Sequence, residues 1–559
     1  MGRPGSGFSP AGLAASFPLS IGTDPTKLYD GNFGRPTTGD VRHGDERRFS
    51  GRWSACVTMS ETETKLPSAR IAQAFSPANL RELGHRLIDL LSSHLAQVEA
   101  SGGQVLNWNG PVENISRAAQ ILDAAPNELP SPGALAERFE TLAREMLARG
   151  HNLHDPRYIG HQVPAPVPLA GLFDALGSIT NQVMAIYEMG PWATSVERAM
   201  LARLGARIGW SEGAFGGLVT HGGSLGNMTA LLTARNVSIG DAWEVGLAGR
   251  AQAPVILVHQ DSHYSVARAA GVLGIGTEQV LRVGLDKRRR MDPQKLDEAL
   301  TDLRARGVPV VAVSAAACAT PIGAFDPLEQ IAEVCQQHEV WLHVDAAHGG
   351  AALLSRKHRH LLRGIDQSDS LVWDAHKMLF VPALCAFVFY RNAEHRQATF
   401  RQEAGYLFDP SVPELADFDS GTATVECTKR AATYGLWGIW SLFGEQLFED
   451  MVDVTFDLAR WLYEQLQSEP DFEPLHEPQC NILAFRYVPP ALRDAPEAEI
   501  AQFLLTLRRE LIRSGEFYIV QAKIAGRQAL RVTLINPLTQ PSHLEGLVAA
   551  IRRTGETLL

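Results

Sequence analysis

Three short stretches bring together residue types that could do chemistry. Trp341-Leu342-His343-Val344-Asp345-Ala346-Ala347-His348-Gly349-Gly350 ends an apolar run on an aspartate and continues in small residues. Such an Asp puts a carboxylate at the ligand-binding edge of a sheet. There it can pair with a protonated ring nitrogen or cap the following helix. His343 and Asp345 point to one strand face and, with His348, permit a metal reading, but no Cys or Glu completes a shell. Further on, Asp369-Ser370-Leu371-Val372-Trp373-Asp374-Ala375-His376-Lys377-Met378 puts a lysine just after a second buried-looking run. Desolvation there would depress the lysine pKa and favour the neutral amine that forms a Schiff base. The alternative is an ordinary solvated lysine.

The third stretch is Thr220-His221-Gly222-Gly223-Ser224-Leu225-Gly226-Asn227-Met228-Thr229-Ala230-Leu231. A strand enters, glycines permit a tight turn, and a helix-forming run follows. Backbone N–H groups at such a helix start suit a phosphate, although a purely structural turn has the same pattern. The spacing is neither the GxGxxG of dinucleotide folds nor a P-loop. A phosphate cradle, a strand-end Asp and a later strand-end Lys are together three grips on pyridoxal 5'-phosphate (PLP).

The elements around these stretches alternate. Apolar runs at Gly217–Thr220, Pro254–His259, Val308–Ser314, Val340–Asp345, Ser370–Trp373 and Leu384–Tyr390 are separated by helical segments. This predicts an α/β fold, a mostly parallel sheet covered by helices, with ligands beyond the carboxyl ends of the strands. Ahead of it, Ser76 and Pro77 look like an N-cap and first helical position. Leu80, Leu83, Leu87, Leu90, Leu91, Leu95 and Val98 follow at helical spacing, and a second helix is expected from Pro132 to Arg149. Such helices either clasp a partner subunit or pack on their own. After Arg430 a helical stretch (Ala431 to Leu466), strand-like runs at Asn481–Tyr487, Phe517–Ala522 and Leu530–Ile535, and a helix from Ser542 to Arg553 predict a smaller α+β domain. The expected division is residues 1–66 as a disordered extension, 67–150 helical, 151–430 the large domain and 431–559 the small domain.

Composition bounds the rest. The 559 residues carry a net charge of -11, which disfavours nucleic acid and anionic membrane as partners. Cys56, Cys318, Cys335, Cys385, Cys427 and Cys480 are scattered without CxxC spacing, so neither a disulfide framework nor a zinc site is expected, and a reducing compartment fits. The run from Ala165 to Met189 is interrupted by Asp174, Asn181, Gln182 and Glu188 and does not read as a membrane span. No signal peptide is evident. These features predict a soluble, cytoplasmic protein without a metal.

With these motifs in order, the chain resembles the group II PLP-dependent decarboxylases, and most closely their glutamate-decarboxylase-like members, from about Leu80 to the C-terminus. The resemblance implies fold type I of the PLP-dependent transferases, with a seven-stranded, mostly parallel sheet and a smaller C-terminal domain. It makes Lys377, in the HK motif with His376, the Schiff-base lysine. Asp345 pairs with the pyridine nitrogen, Ala347 packs beneath the ring, and His263 of Ser262-His263-Tyr264-Ser265 stacks on its other face. Gly223, Ser224 and Asn227 belong to the phosphate turn, and Thr320 lies near the cofactor's 3'-oxygen. Arg531 takes the substrate α-carboxylate, and Tyr406 protonates the carbanion.

The implied reaction is decarboxylation of an L-amino acid, with a small acidic substrate (glutamate, aspartate or cysteine sulfinate). The implied assembly is a homodimer with its active site at the subunit interface. Aromatic amino acids, 2,4-diaminobutyrate, another fold-type-I lyase or aminotransferase, and a non-catalytic homologue are the alternatives. The side-chain pocket is expected to draw on Gly160, His161 and Gln162. Three positions depart from the family pattern: Asp155, Cys318-Ala319 and Asp374. A carboxylate facing a phosphate repels it, so Asp374 is expected to turn away or to bind another donor.

Overall fold

The computed structural model describes residues 68–400 and 417–559. Seven strands form one sheet: β1 Gly216–Thr220, β2 Val255–His259, β3 Val280–Val283, β4 Val310–Ala316, β5 Leu342–Asp345, β6 Ser370–Asp374 and β7 Ala386–Tyr390. Their order is β1-β7-β6-β5-β4-β2-β3. β7 runs antiparallel to β1 and β6, and the other pairs are parallel. β2 and β7 are buried at every position. That is why they read as unbroken apolar runs: helices cover both faces, and no wet face imposes alternation. Leu231 and Ala234 of helix Gly223–Ser238 pack on one face with Val266 and Ala270. Leu204, Leu300 and Ile331 fill the core that includes the other face. The mostly parallel sheet is as expected. The strand absent from the predicted runs is β3, a half-exposed edge strand with Arg282 inside it, so no apolar run announces it.

The C-terminal part holds an antiparallel sheet of β8 Phe472–Pro474, β9 Ile482–Tyr487, β10 Val520–Ile524 and β11 Arg527–Thr533, in the order β8-β9-β11-β10. Leu462, Phe485, Leu507 and Leu547 form its core. β10 and β11 are joined by a two-residue turn in which Ala525 and Gly526 have φ of 49° and 84°. Positive φ at both central residues matches the twist of a hairpin. An Ala-Gly pair is a weaker sequence signal than Asn-Gly, which is why the predicted strands stop short of this turn. The single helical stretch expected from Ala431 is two helices, Tyr434–Phe443 and Gln446–Ser468, separated at Gly444 with φ of 70°.

In the N-terminal part the Ser76 hydroxyl accepts from the Asn79 N–H and opens helix Pro77–Glu99, in which only Val98 is buried. A helix the sequence reading omits, Pro111–Asp123, buries none of its residues and leaves Val112, Ile115 and Leu122 exposed. The expected helix after Pro132 runs to Ala148. Helix Pro168–Ile179 likewise leaves Leu172, Leu176 and Ile179 in the open.

One buried ion pair ties the large sheet to chain far away in sequence. Lys429 Nζ lies 2.7 and 2.9 Å from the two Glu197 carboxylate oxygens and donates to the Val219 carbonyl. Glu197 also accepts from the Val219 N–H, so the pair satisfies both polar groups of one β1 residue. Lys429→Ala should cost about 3–5 kcal/mol in urea denaturation, because Glu197 is left buried without its partner. A double variant, Glu197→Leu with Lys429→Met, should lose clearly less. Equal losses in the two proteins would show that the charge pair is not the cause.

Candidate active site

A cavity of about 300 Å³ opens at the carboxyl ends of β4, β5 and β6, where a parallel sheet binds ligands. Its wall includes Gly223, Ser224, His263, Thr320, Asp345 and Lys377, with Asn227, Ala347 and His376 beside them. Nearly all the residues picked out by sequence therefore meet in one place.

Asp345 ends β5. Its Oδ2 accepts from Asn227 Nδ2 at 3.0 Å and its Oδ1 from the Ala347 N–H at 3.2 Å. Asn227 Nδ2 also donates to Ser265 Oγ at 2.9 Å, which turns Asn227 Oδ1 toward His343 Nε2 at 3.0 Å. His343 Nε2 must then carry the proton, and His343 Nδ1 accepts from Ser370 Oγ at 2.9 Å. Trp341 Nε1 in turn donates to Ser370 Oγ. Burial pushes the His343 pKa down to about 4, in keeping with a neutral ring. A further branch runs from Ser265 Oγ to His263 Nδ1 at 2.8 Å, and burial lowers the His263 pKa against the pull of Asp345. Asn227, read from sequence as part of the phosphate turn, thus spends its amide on Asp345. His343 is occupied between Asn227 and Ser370, which leaves the His343, Asp345 and His348 metal reading without support.

The phosphate turn itself is built as the glycines predict. Gly222 has a φ of 102° and precedes helix Gly223–Ser238, whose start no side chain caps. Its first N–H groups point outward as anion donors. A Cβ on Gly223 would meet both Asp374 carboxylate oxygens at 2.7 Å. Asp374 therefore does not turn away from this turn; it takes another donor. Its Oδ2 lies 3.0 Å from Lys377 Nζ and 3.6 Å from His376 Nε2, while its Oδ1 is buried without a partner. This alters the expectation for Lys377. Burial lowers its pKa, but Asp374 and then Asp345 raise it, and the net shift is upward. The sequence reading had the desolvation and lacked the counter-charge.

Arg531 lies on β11, opposite Ala484 and Val520. It is 5% exposed, its Nε and one Nη have no partner, and burial pushes its pKa down to about 10. It is not a wall residue of the cavity; Cys318, which is one, lies within its electrostatic reach. Gln162 lines the cavity, whereas His161 packs toward Tyr518, with ring centroids 5.6 Å apart. A Cβ on Gly160 would meet the Tyr518 ring at 2.4 Å, so Gly160 serves close packing. Asp155 pairs with Arg157 at 2.7 Å. Tyr406 lies outside the described residues. The sequence reading missed Ser370, Trp341 and the His221–Glu426 pair at 2.6 Å, with His221 on the cavity wall. The two-residue spacing of His343 and Asp345 was the available signal for the first of these.

The donor set fits PLP: an uncapped helix start and close glycine for the phosphate, a carboxylate for the ring nitrogen, and an amine. Comparison with known proteins agrees. Residues 136–488 match the pyridoxal-dependent decarboxylase conserved domain. The chain is 32% identical over 463 residues to rat (Rattus norvegicus) cysteine sulfinic acid decarboxylase, covering 81% of this chain and 92% of that protein. It is 30% identical to human (Homo sapiens) acidic amino acid decarboxylase GADL1, covering 81% and 87%. The crystal structure of mouse CSAD in apo form superposes with a TM-score of 0.77 at 28% identity, covering 86% of this chain and 99% of that one. An Oryza sativa TDC structure with PLP and tryptamine, 21% identical over 87% and 99% of the two chains, has a TM-score of 0.78 and shares the fold.

The Asp374–Lys377 contact has a measurable consequence. An ammonium must lose its proton before it attacks a carbonyl, and each unit of raised pKa costs tenfold in neutral amine below that pKa. In Asp374→Asn, uptake of PLP by the apo-protein near neutral pH should speed up, and the pH at which uptake levels off should fall. Stopped-flow absorbance reads both. An unchanged rate and profile would show that Asp374 does not hold the amine protonated.

Proposed function

Because the chain belongs to the pyridoxal-dependent decarboxylases, carboxy-lyases that use PLP, we propose that it acts on a small acidic amino acid: glutamate, aspartate or cysteine sulfinate. Arg531, a buried guanidinium with unpaired nitrogens, carries the reading of an amino acid substrate, because every amino acid brings an α-carboxylate; the acidic class rests on the relatives. A cation held without a partner is ready for a substrate carboxylate. The names of two relatives, a cysteine sulfinic acid decarboxylase and an acidic amino acid decarboxylase, support the acidic class.

The chain's own residues divide the work. Lys377 holds the cofactor through its amine, Asp345 keeps a proton at the ring nitrogen, and the N–H groups of Gly223 and Ser224 hold the phosphate, with Thr320 and His376 nearby. Ala347 and His263, both on the cavity wall, would flank the ring. Bound PLP supplies an electron sink for the pair left on Cα when carbon dioxide departs. Arg531 would hold the substrate α-carboxylate and so orient the bond that breaks. Tyr406 would return a proton to Cα.

We further assign the active form to a homodimer. The uncovered Leu172, Leu176 and Ile179 on one helix and Val112, Ile115 and Leu122 on another support this, because large apolar side chains left exposed on one helix face suit an interaction surface. A cytoplasmic setting is in keeping with the free cysteines Cys318, Cys335, Cys385, Cys427 and Cys480.

Carbon dioxide release by the PLP-loaded protein, read across a panel of amino acids, tests the substrate class. Release from an acidic amino acid is expected; release from an aromatic amino acid or 2,4-diaminobutyrate alone would overturn it. Arg531→Met should lower kcat/KM about 10- to 100-fold, the worth of one charged hydrogen-bonding contact. Light scattering should give the mass of two chains, shifting to one when Leu172 and Leu176 are both replaced by Glu.

A further inference from the structure

At one edge of the cavity, whose wall includes Cys318 and His348, three buried side chains from separate segments converge. Cys318 follows β4, His348 follows β5 and Cys480 precedes β9. One ring nitrogen of His348 and the two sulfurs all lie within 4.8 Å of one another. The sulfurs of Cys318 and Cys480 are 3.8 Å apart. Two zinc–sulfur bonds of about 2.3 Å at the tetrahedral angle place their sulfurs about 3.8 Å apart, so the thiols already stand at bridging distance.

The histidine is set for the same purpose. Asn481 Nδ2 donates to the Leu534 carbonyl at 3.2 Å, which turns Asn481 Oδ1 to His348 Nε2 at 2.8 Å. His348 Nε2 therefore carries the proton, and Nδ1 keeps a lone pair. That Nδ1 is buried and has no partner. A histidine whose second nitrogen donates to a fixed carbonyl is the usual outer-shell arrangement of a metal ligand.

We propose that Cys318, Cys480 and His348 form a binding site for a thiophilic divalent cation such as zinc. Both thiols give up their protons to solvent as the dication enters, so the buried site gains no net charge beside the Arg531 guanidinium. Three protein ligands leave a fourth position for water or a carboxylate oxygen. An entry path exists: Cys480 also lines a second cavity of about 760 Å³, together with His358, Asp457, His476 and Glu477. A bound ion ties the Cys318 segment to Cys480 in the immediate neighbourhood of Arg531. It should therefore suppress turnover, and a chelator should restore it.

The test is equilibrium dialysis of the reduced, PLP-loaded full chain against Zn²⁺, with Co²⁺ as a spectroscopic probe. The expected result is one ion per chain and a thiolate-to-cobalt charge-transfer band. Both should be lost in Cys318→Ala and in Cys480→Ala and kept in Cys335→Ala. Asn481→Leu should weaken binding about 10- to 100-fold. No stoichiometric ion in the reduced protein, or binding unchanged in both cysteine variants, would overturn the site. If the variants do not fold, alkylation of the wild-type protein decides: Zn²⁺ should protect Cys318 and Cys480 selectively, and equal labelling with and without the ion overturns the proposal.

Discussion

A carboxylate set at the edge of a buried sheet has to be supplied with donors, and Asp345 is the group around which this protein is arranged. An isolated charge cannot be taken from water cheaply. Asp345 receives a backbone N–H and the Asn227 amide, both neutral. Neutral donors orient the carboxylate without cancelling its charge, which remains available to a cationic partner in the cavity. The supply line behind it runs through His343 and Ser370 to Trp341, and every donor in it is assigned because each acceptor has only one orientation to offer. The strand order makes this possible: β5 and β6 are adjacent, so His343 and Ser370 stand side by side, and helix Gly223–Ser238 lays Asn227 over both.

Asp374 introduces a second carboxylate at the neighbouring strand end, and it changes the balance of the site. A phosphate at a helix start gains about 0.3–1 kcal/mol from the helix dipole, up to about 2 in a partly buried setting. A nearby carboxylate repels the same phosphate, and the closer it stands the more of the dipole's contribution it offsets. The contacts of Asp374 with Lys377 and His376 supply the opposing charge and dipole. The same contact raises the Lys377 pKa. One side chain thereby faces both the glycine turn and the Lys377 amine.

The wall between the two sheets is the other point where function concentrates. Arg531, on the C-terminal sheet, is buried with Nε and one Nη unpartnered, and Cys318 of the cavity wall lies within its electrostatic reach. A buried, unpaired guanidinium costs stability. Its retention at this place makes sense as a site held ready for an anion.

Much of this was legible in the sequence, because it depends on neighbours along the chain. A strand that ends on Asp345, a turn that needs Gly222 and a lysine just after β6 are matters of local backbone geometry, and the alternation of apolar runs with helical segments follows from burial on both faces. Ordered together, these motifs specified the fold and the cofactor. What only the tertiary structure decided is pairing across distance. Asn227 meets Asp345 across 118 residues, Cys318 meets Cys480 across 162, and Lys429 meets Glu197 across 232. Periodicity along a chain records which face of an element is buried; it does not record which residue of another element will be pressed against that face. Hence the Asp374–Lys377 contact, between residues three apart at one strand end, lay within reach of the sequence, whereas only packing brought that carboxylate against Gly223, which follows a strand elsewhere in the sheet.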